Sequence, residues 1–100
     1  MNNLTAKQRA HLKSLAHPLK PILQVGKDGI TDAAVKALES AFNTRELLKI
    51  KVLETAPESA QETSAILAER VKGLMPVQVI GRTVIFYRPD PKKPEIKLPT

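Results

Sequence analysis

Near the start of the chain, Leu12, Leu15, Ala16 and Leu19 recur at helical spacing, and Thr5 with Gln8 three residues on forms a capping-box pattern. Pro18 should end the regular helix near His17, because proline clashes with the preceding turn and restricts the residue before it. A first helix is therefore predicted over residues 5–17, with Arg9, Lys13 and His17 in a stripe beside its apolar face. After Pro21, the run Ile22-Leu23-Gln24-Val25 reads as a short strand ending at Gly26. Thr31 is a good cap for a second helix over about 32–43, with inner positions Ala34, Val35, Leu38, Ala41 and Phe42. From Leu47 to Leu53 the period becomes two: Leu48, Ile50 and Val52 point one way and Lys49 and Lys51 the other, which predicts a strand. A loop over Ala56 to Ser59 leads into a third helix running to about Lys72 before Gly73, with Ala60, Thr63, Leu67 and Val71 inward. Val77 to Ile80, Gly81-Arg82, and Thr83 to Arg88 read as a hairpin, where glycine first of two turn residues fits a type II′ turn.

The predicted order is α-β-α-β-α-β-β. Strand–helix–strand steps favour parallel neighbours, and the final hairpin is antiparallel, so the fold class is mixed α+β: one four-stranded mixed sheet with helices packed on it. The last strand is apolar on both sides, Val84 and Phe86 on one, Ile85 and Tyr87 on the other. Its second face should therefore be covered; the first helix and the tail residues Ile96 and Leu98 are both candidates. Residues 1–88 form the predicted domain. From Pro89 onward four prolines in twelve residues make 89–100 a Pro/Lys-rich tail with no regular element.

A chain of 100 residues suits one domain and can bury a core without covalent staples. It has no cysteine, which excludes disulfides, thiolate metal sites and a cysteine nucleophile. No apolar run approaches a membrane span of ~18 residues. The first seventeen residues lack the apolar stretch of a signal peptide, so the expected location is the cytoplasm.

Charge changes the picture more than composition does. The net charge is +6, and residues 1–27 hold Lys7, Arg9, Lys13, Lys20 and Lys27 with no acid. The other 73 residues carry eleven basic and ten acidic groups, so nearly all the excess lies at the N-terminal side. One-sided basic charge is the footprint of a polyanion binder, although a solvated basic face that aids solubility has the same composition.

Within that basic third lies Val25-Gly26-Lys27-Asp28-Gly29-Ile30-Thr31, two glycines spaced Gly-x-x-Gly between a strand and a helix start. Glycine lets backbone approach a ligand, a helix start offers free N–H groups, and Lys27 adds a mobile cation; similar loops clamp nucleic-acid backbone in other modules. The plainer reading is a strand-to-helix turn with one glycine in the left-handed region. Asp28 opposes a phosphate, while Asp32 in the first helical turn complements the helix dipole. The spacing fits neither a Walker loop nor a dinucleotide fingerprint. His11 and His17 face different sides of one helix, and Glu58, Glu62 and Glu69 read as a solvated face. No catalytic set emerges, and no metal or cofactor is expected. Only Phe42, Phe86 and Tyr87 are aromatic, so contact with nucleic acid should rest on phosphates and shape more than on stacking, with strong salt dependence.

Three separated segments, AHPLKPILQVGKDGIT, RELLKIKV and VQVIGRTVIFYR, occur in the order of the CRM domain (chloroplast RNA splicing and ribosome maturation). Over residues 4–88 the chain resembles the small stand-alone bacterial, YhbY-like form of that domain. The resemblance implies a fold like the C-terminal domain of a bacterial translation initiation factor. With no catalytic set visible, a monomeric, non-enzymatic protein is expected; the resemblance also implies an RNA-binding module associated with ribosomal RNA or precursors of the large ribosomal subunit. It carries over Gly26, Lys27 and Gly29 as a backbone-approach loop with Lys20 beside it, and Arg9 and Lys13 as an extension of that surface. Lys49, Lys51 and Arg82 match the pattern, and Arg45 stands where the family often has histidine. The competing expectation is an adaptor that sits on the ribosome through proteins, using the second face of the last strand or the tail.

Overall fold

Residues 4–100 are described by the computed structural model; the first three residues of the predicted 1–88 domain lie outside them. The elements are α1 (Ala6–Ala16), β1 (Leu23–Val25), α2 (Asp32–Ala41), β2 (Leu47–Val52), α3 (Ala60–Arg70), β3 (Met75–Ile80) and β4 (Thr83–Tyr87). Their order and class are those the periodicity predicts. Local chemistry sets the helix starts. Thr5 accepts the Gln8 N–H at 3.1 Å while the Gln8 amide oxygen takes the Thr5 N–H at 3.0 Å, and Ser59 and Glu62 repeat this reciprocal pair. Pro18 ends α1 as expected.

The strand order is β1-β2-β4-β3. β1 and β2 pair in parallel, and β4 runs antiparallel to both β2 and β3. The expectation that the β2-α3-β3 step makes neighbours is corrected: the two strands share a direction, but β4 lies between them. The physical reason is β4's own sequence. With Val84, Ile85, Phe86 and Tyr87 all buried, it needs a neighbour on each edge and a layer on each face. β3 carries Pro76, exposed Gln78 and a register shift between Pro76 and Gln78, features an edge strand tolerates. Gly81 at φ +60, followed by Arg82 with negative φ, closes the hairpin in the predicted type II′ manner.

One sheet face, with Leu48, Ile50, Val84 and Phe86, packs on Val35 and Leu38 of α2 and Leu67 of α3. Burying side chains of this size stabilises by about 1.5–3 kcal/mol each. Thr63 of α3 is buried there with no hydrogen-bond partner for its hydroxyl. The other face, with Leu47, Ile85 and Tyr87, is covered by Leu12 and Ala16 of α1 and by Ile96 and Leu98 of the tail, so both candidate covers are used. Two predicted inward residues of α1 turn out otherwise: Leu15 is 41% exposed and Leu19 39%. The buried row is the narrow one through Leu12 and Ala16, and the helix ends before Leu19, where helical spacing no longer applies.

The tail has no helix or strand, yet it is anchored. Glu46, buried just ahead of β2, accepts the Asp90 N–H at 2.6 Å on Oε2 and the Glu95 and Ile96 N–H groups at 2.8 Å on Oε1. Gln8 adds a bond to the Pro99 carbonyl at 3.1 Å. Burial first, and the charge of Glu46 second, push the Tyr87 phenol above its ordinary pKa.

Candidate nucleic-acid interface

β1 ends where the Val25 carbonyl accepts the Leu53 N–H, and the chain then turns at once: the Gly29 N–H donates to the Gly26 carbonyl at 2.9 Å. This closes a four-residue turn with Lys27 and Asp28 exposed at its tip. Thr31 next accepts the Ala34 N–H at 3.0 Å and starts α2. The two glycines differ. Gly29 has φ +67, and a Cβ there would lie 3.0 Å from Pro57 Cγ and 3.1 Å from Glu58 Oε1. Gly26 has no positive φ, and its Cβ would meet nothing closer than Leu53 Cδ1 at 3.6 Å, an ordinary contact. The backbone favours glycine at position 29 and has no such need at 26.

The hairpin reaches the same end of the sheet, where the Val52 N–H donates to the Arg82 carbonyl at 2.8 Å. Arg82 pairs there with Glu54 at 3.1 Å. Asp28, Glu54 and Glu58 therefore stand around Lys27 and Arg82, and the loop end is mixed in charge.

The separation of charge is across the sheet. α1 carries Lys7, Arg9 and Lys13 with no acid. On the opposite face, α2 and α3 together carry Asp32, Glu39, Glu62 and Glu69 against Lys36 and Arg70, and the Arg70–Asp32 pair at 2.8 Å ties those two helices together. Lys49 and Lys51 alternate with Leu48, Ile50 and Val52, so they project to the α1 side. Lys51 is exposed; Lys49 is half-buried and its ammonium donates to the His17 carbonyl at 3.3 Å, at the negative end of α1. Arg9 and Lys13 are exposed, on the flank of α1 away from Leu15.

The predicted residues thus fall into groups. Gly26, Lys27 and Gly29 share one turn, with Arg82 at the same sheet end and Lys51 close to it along β2. Arg9, Lys13 and Lys49 belong to α1 and the strand beneath its end. Lys20 precedes β1 and the Gly26 turn follows it, so the strand separates two groups expected side by side. Arg45 is at the far end of β2, lining a groove of about 690 Å³ with Leu15, Leu19 and Ile96. The role of Glu46 escaped sequence reading because its three partners lie more than forty residues away.

A family model for the CRS1 / YhbY (CRM) domain matches residues 4–88. The chain belongs to the CRM domain family. A relative from Bacillus subtilis, "Probable RNA-binding protein YqeI", is 38% identical over 96 residues, 96% of this chain and 99% of that one. An RNA-binding protein of Haemophilus influenzae is 35% identical over 99 residues, 99% of this chain and 98% of the relative. The solution structure of the Staphylococcus aureus hypothetical protein SAV1595 matches this CRM fold with a TM-score of 0.80 at 38% identity, covering 97% of this chain and 100% of that one. No helix among the described residues is long and apolar enough to cross a membrane.

Proposed function

We propose that this CRM protein is a non-catalytic, cytoplasmic, monomeric RNA-binding protein. Its RNA is ribosomal RNA in precursors of the large ribosomal subunit. The observation that carries the reading is the charge asymmetry across the sheet: the α1 side presents Arg9, Lys13 and Lys51 without a helix acid among them, while acids collect on the α2–α3 side. The names of the Bacillus and Haemophilus relatives support RNA as the polyanion. Lysine and arginine here neutralise phosphates and release counterions, which supplies affinity with little sequence information. The Gly26–Gly29 turn brings backbone close to the strand, with Lys27 at its tip; Lys20 and Arg45 extend contact towards the other end of the sheet.

Replacing Lys20 and Lys27 together by glutamine should weaken RNA binding and reduce the slope of log K against log salt by about 0.7–0.9 for each phosphate no longer neutralised. A double variant that binds as tightly as wild type across a salt series removes both residues from the site. Crosslinking in cells, with sequencing of the bound RNA, should enrich large-subunit rRNA; sites scattered over other RNAs would reject the ribosomal assignment.

The adaptor reading loses its first surface, since α1 and the tail cover the apolar residues Ile85 and Tyr87 on the second face of β4. The groove with exposed Leu15 and Leu19 keeps that reading open, and ribosome association that survives nuclease would favour it.

A further inference from the structure

α1 leaves part of its sheet face uncovered. Towards the hairpin, one register row crosses all four strands: Gln24 pairs with Lys51, Lys51 with Thr83, and Thr83 with Ile80. All four side chains project to the α1 side, yet Gln24 and Lys51 are exposed, Thr83 is half-exposed and Ile80 is 47% exposed. With strands about 4.8 Å apart, the row spans about 14 Å. It begins on β1 two residues before Gly26, so it is continuous with the turn, and no carboxylate stands on the strand positions of this face.

We infer that this row seats the bases of a single-stranded RNA segment and supplies the base preference that phosphate contacts lack. The inference rests on the RNA-binding reading above and adds the part of RNA that is recognised. A four-stranded sheet accommodates about two or three bases in other modules. Those platforms stack bases on exposed aromatic rings; this row has none, and Tyr87 on the same face is buried, so recognition falls to base edges. The Gln24 amide both donates and accepts, and so does the Thr83 hydroxyl. Lys51, between them, neutralises a phosphate. Ile80 gives the outer base or its ribose an apolar contact. Positive charge suits either polyanion; the donor and acceptor groups of Gln24 and Thr83, which match base edges, favour RNA over an acidic protein.

The experiment uses the full chain and a pool of short single-stranded RNAs of randomised sequence. Wild type should enrich particular bases at two or three adjacent positions. Gln24→Val with Thr83→Val, both compatible with strands, should flatten that enrichment, weaken the preferred sequence about fivefold for each hydrogen bond removed, and leave the salt slope unchanged. Lys51→Gln should lower the slope with the preference kept. A double variant with wild-type preference overturns the inference, as does a wild type that binds RNA without base preference; general RNA binding survives both results. A wild type that binds no RNA overturns the functional reading and this inference together. Photocrosslinking wild type to bromouracil-substituted RNA requires no variant: adducts on β1, β2 or β4 support the row, and adducts confined to α1 or the tail, or absent because only an acidic protein binds there, overturn it.

Discussion

Gly26 and Gly29 are chemically identical and serve different ends. At Gly29 an alanine would enter the left-handed region, costing about 1–2 kcal/mol, and would press on Pro57 and Glu58. At Gly26 an alanine meets only ordinary contacts, and by restricting the unfolded chain it should be neutral or stabilising by up to about 1 kcal/mol. Denaturant unfolding of Gly29→Ala and Gly26→Ala should therefore show loss in the first and none in the second, while RNA titration of folded Gly26→Ala should show weaker binding. Tight binding by Gly26→Ala would mean that close backbone approach is not what the turn supplies. The sequence marks both glycines equally, because what separates them is a φ angle and the side chains of a loop from elsewhere in the chain. Asp28 is exposed at the tip and makes no ion pair among the described residues.

At the scale of elements, helix starts were legible because capping is local. Thr5, Thr31 and Ser59 each accept the N–H three residues on. Glu62, read from the sequence as one of a solvated set, is exposed and is also the return half of the Ser59 capping box. Its hydrogen bond from the Ser59 backbone N–H, then that with the Ser59 hydroxyl, lowers its pKa below the ordinary glutamate value. The folded state thus favours ionised Glu62, so this contribution is complete above the ordinary glutamate range and fades as pH falls through the lowered value. Urea unfolding between neutral pH and pH 3 should show a smaller acid-induced loss for Glu62→Gln than for wild type. Identical pH dependence would show that the capping carboxylate has no part in acid stability. The sheet order was less legible than the caps. Hydrophobicity on both faces of β4 called for cover, but only the packed molecule places that strand between β2 and β3.

In the whole molecule, the tail closes the second core through a carboxylate on the far side of the sequence. Replacing Glu46 with alanine removes the acceptor for three N–H groups and should release residues 90–98. The expected cost is about 1–3 kcal/mol, the range for orphaning partly buried donors, with faster amide exchange at Asp90, Glu95 and Ile96. Unchanged exchange at those amides would show that Ile96 and Leu98 hold the tail unaided. The same assembly turns a basic N-terminal third into a basic face: α1 lies on one side of the sheet, α2 and α3 on the other, and linear charge order becomes a charge difference across the molecule. Element types, helix caps, the alternation of faces along the strands and the basic excess were determined by the sequence itself, since each depends on neighbours within a few positions or on composition. Tertiary structure decided at which of the two glycines a side chain is strained, why Leu15 stays outside, how Glu46 grips the tail, and which cations share a surface. Those outcomes depend on contacts between distant segments, and distance along the chain carries no record of distance in space.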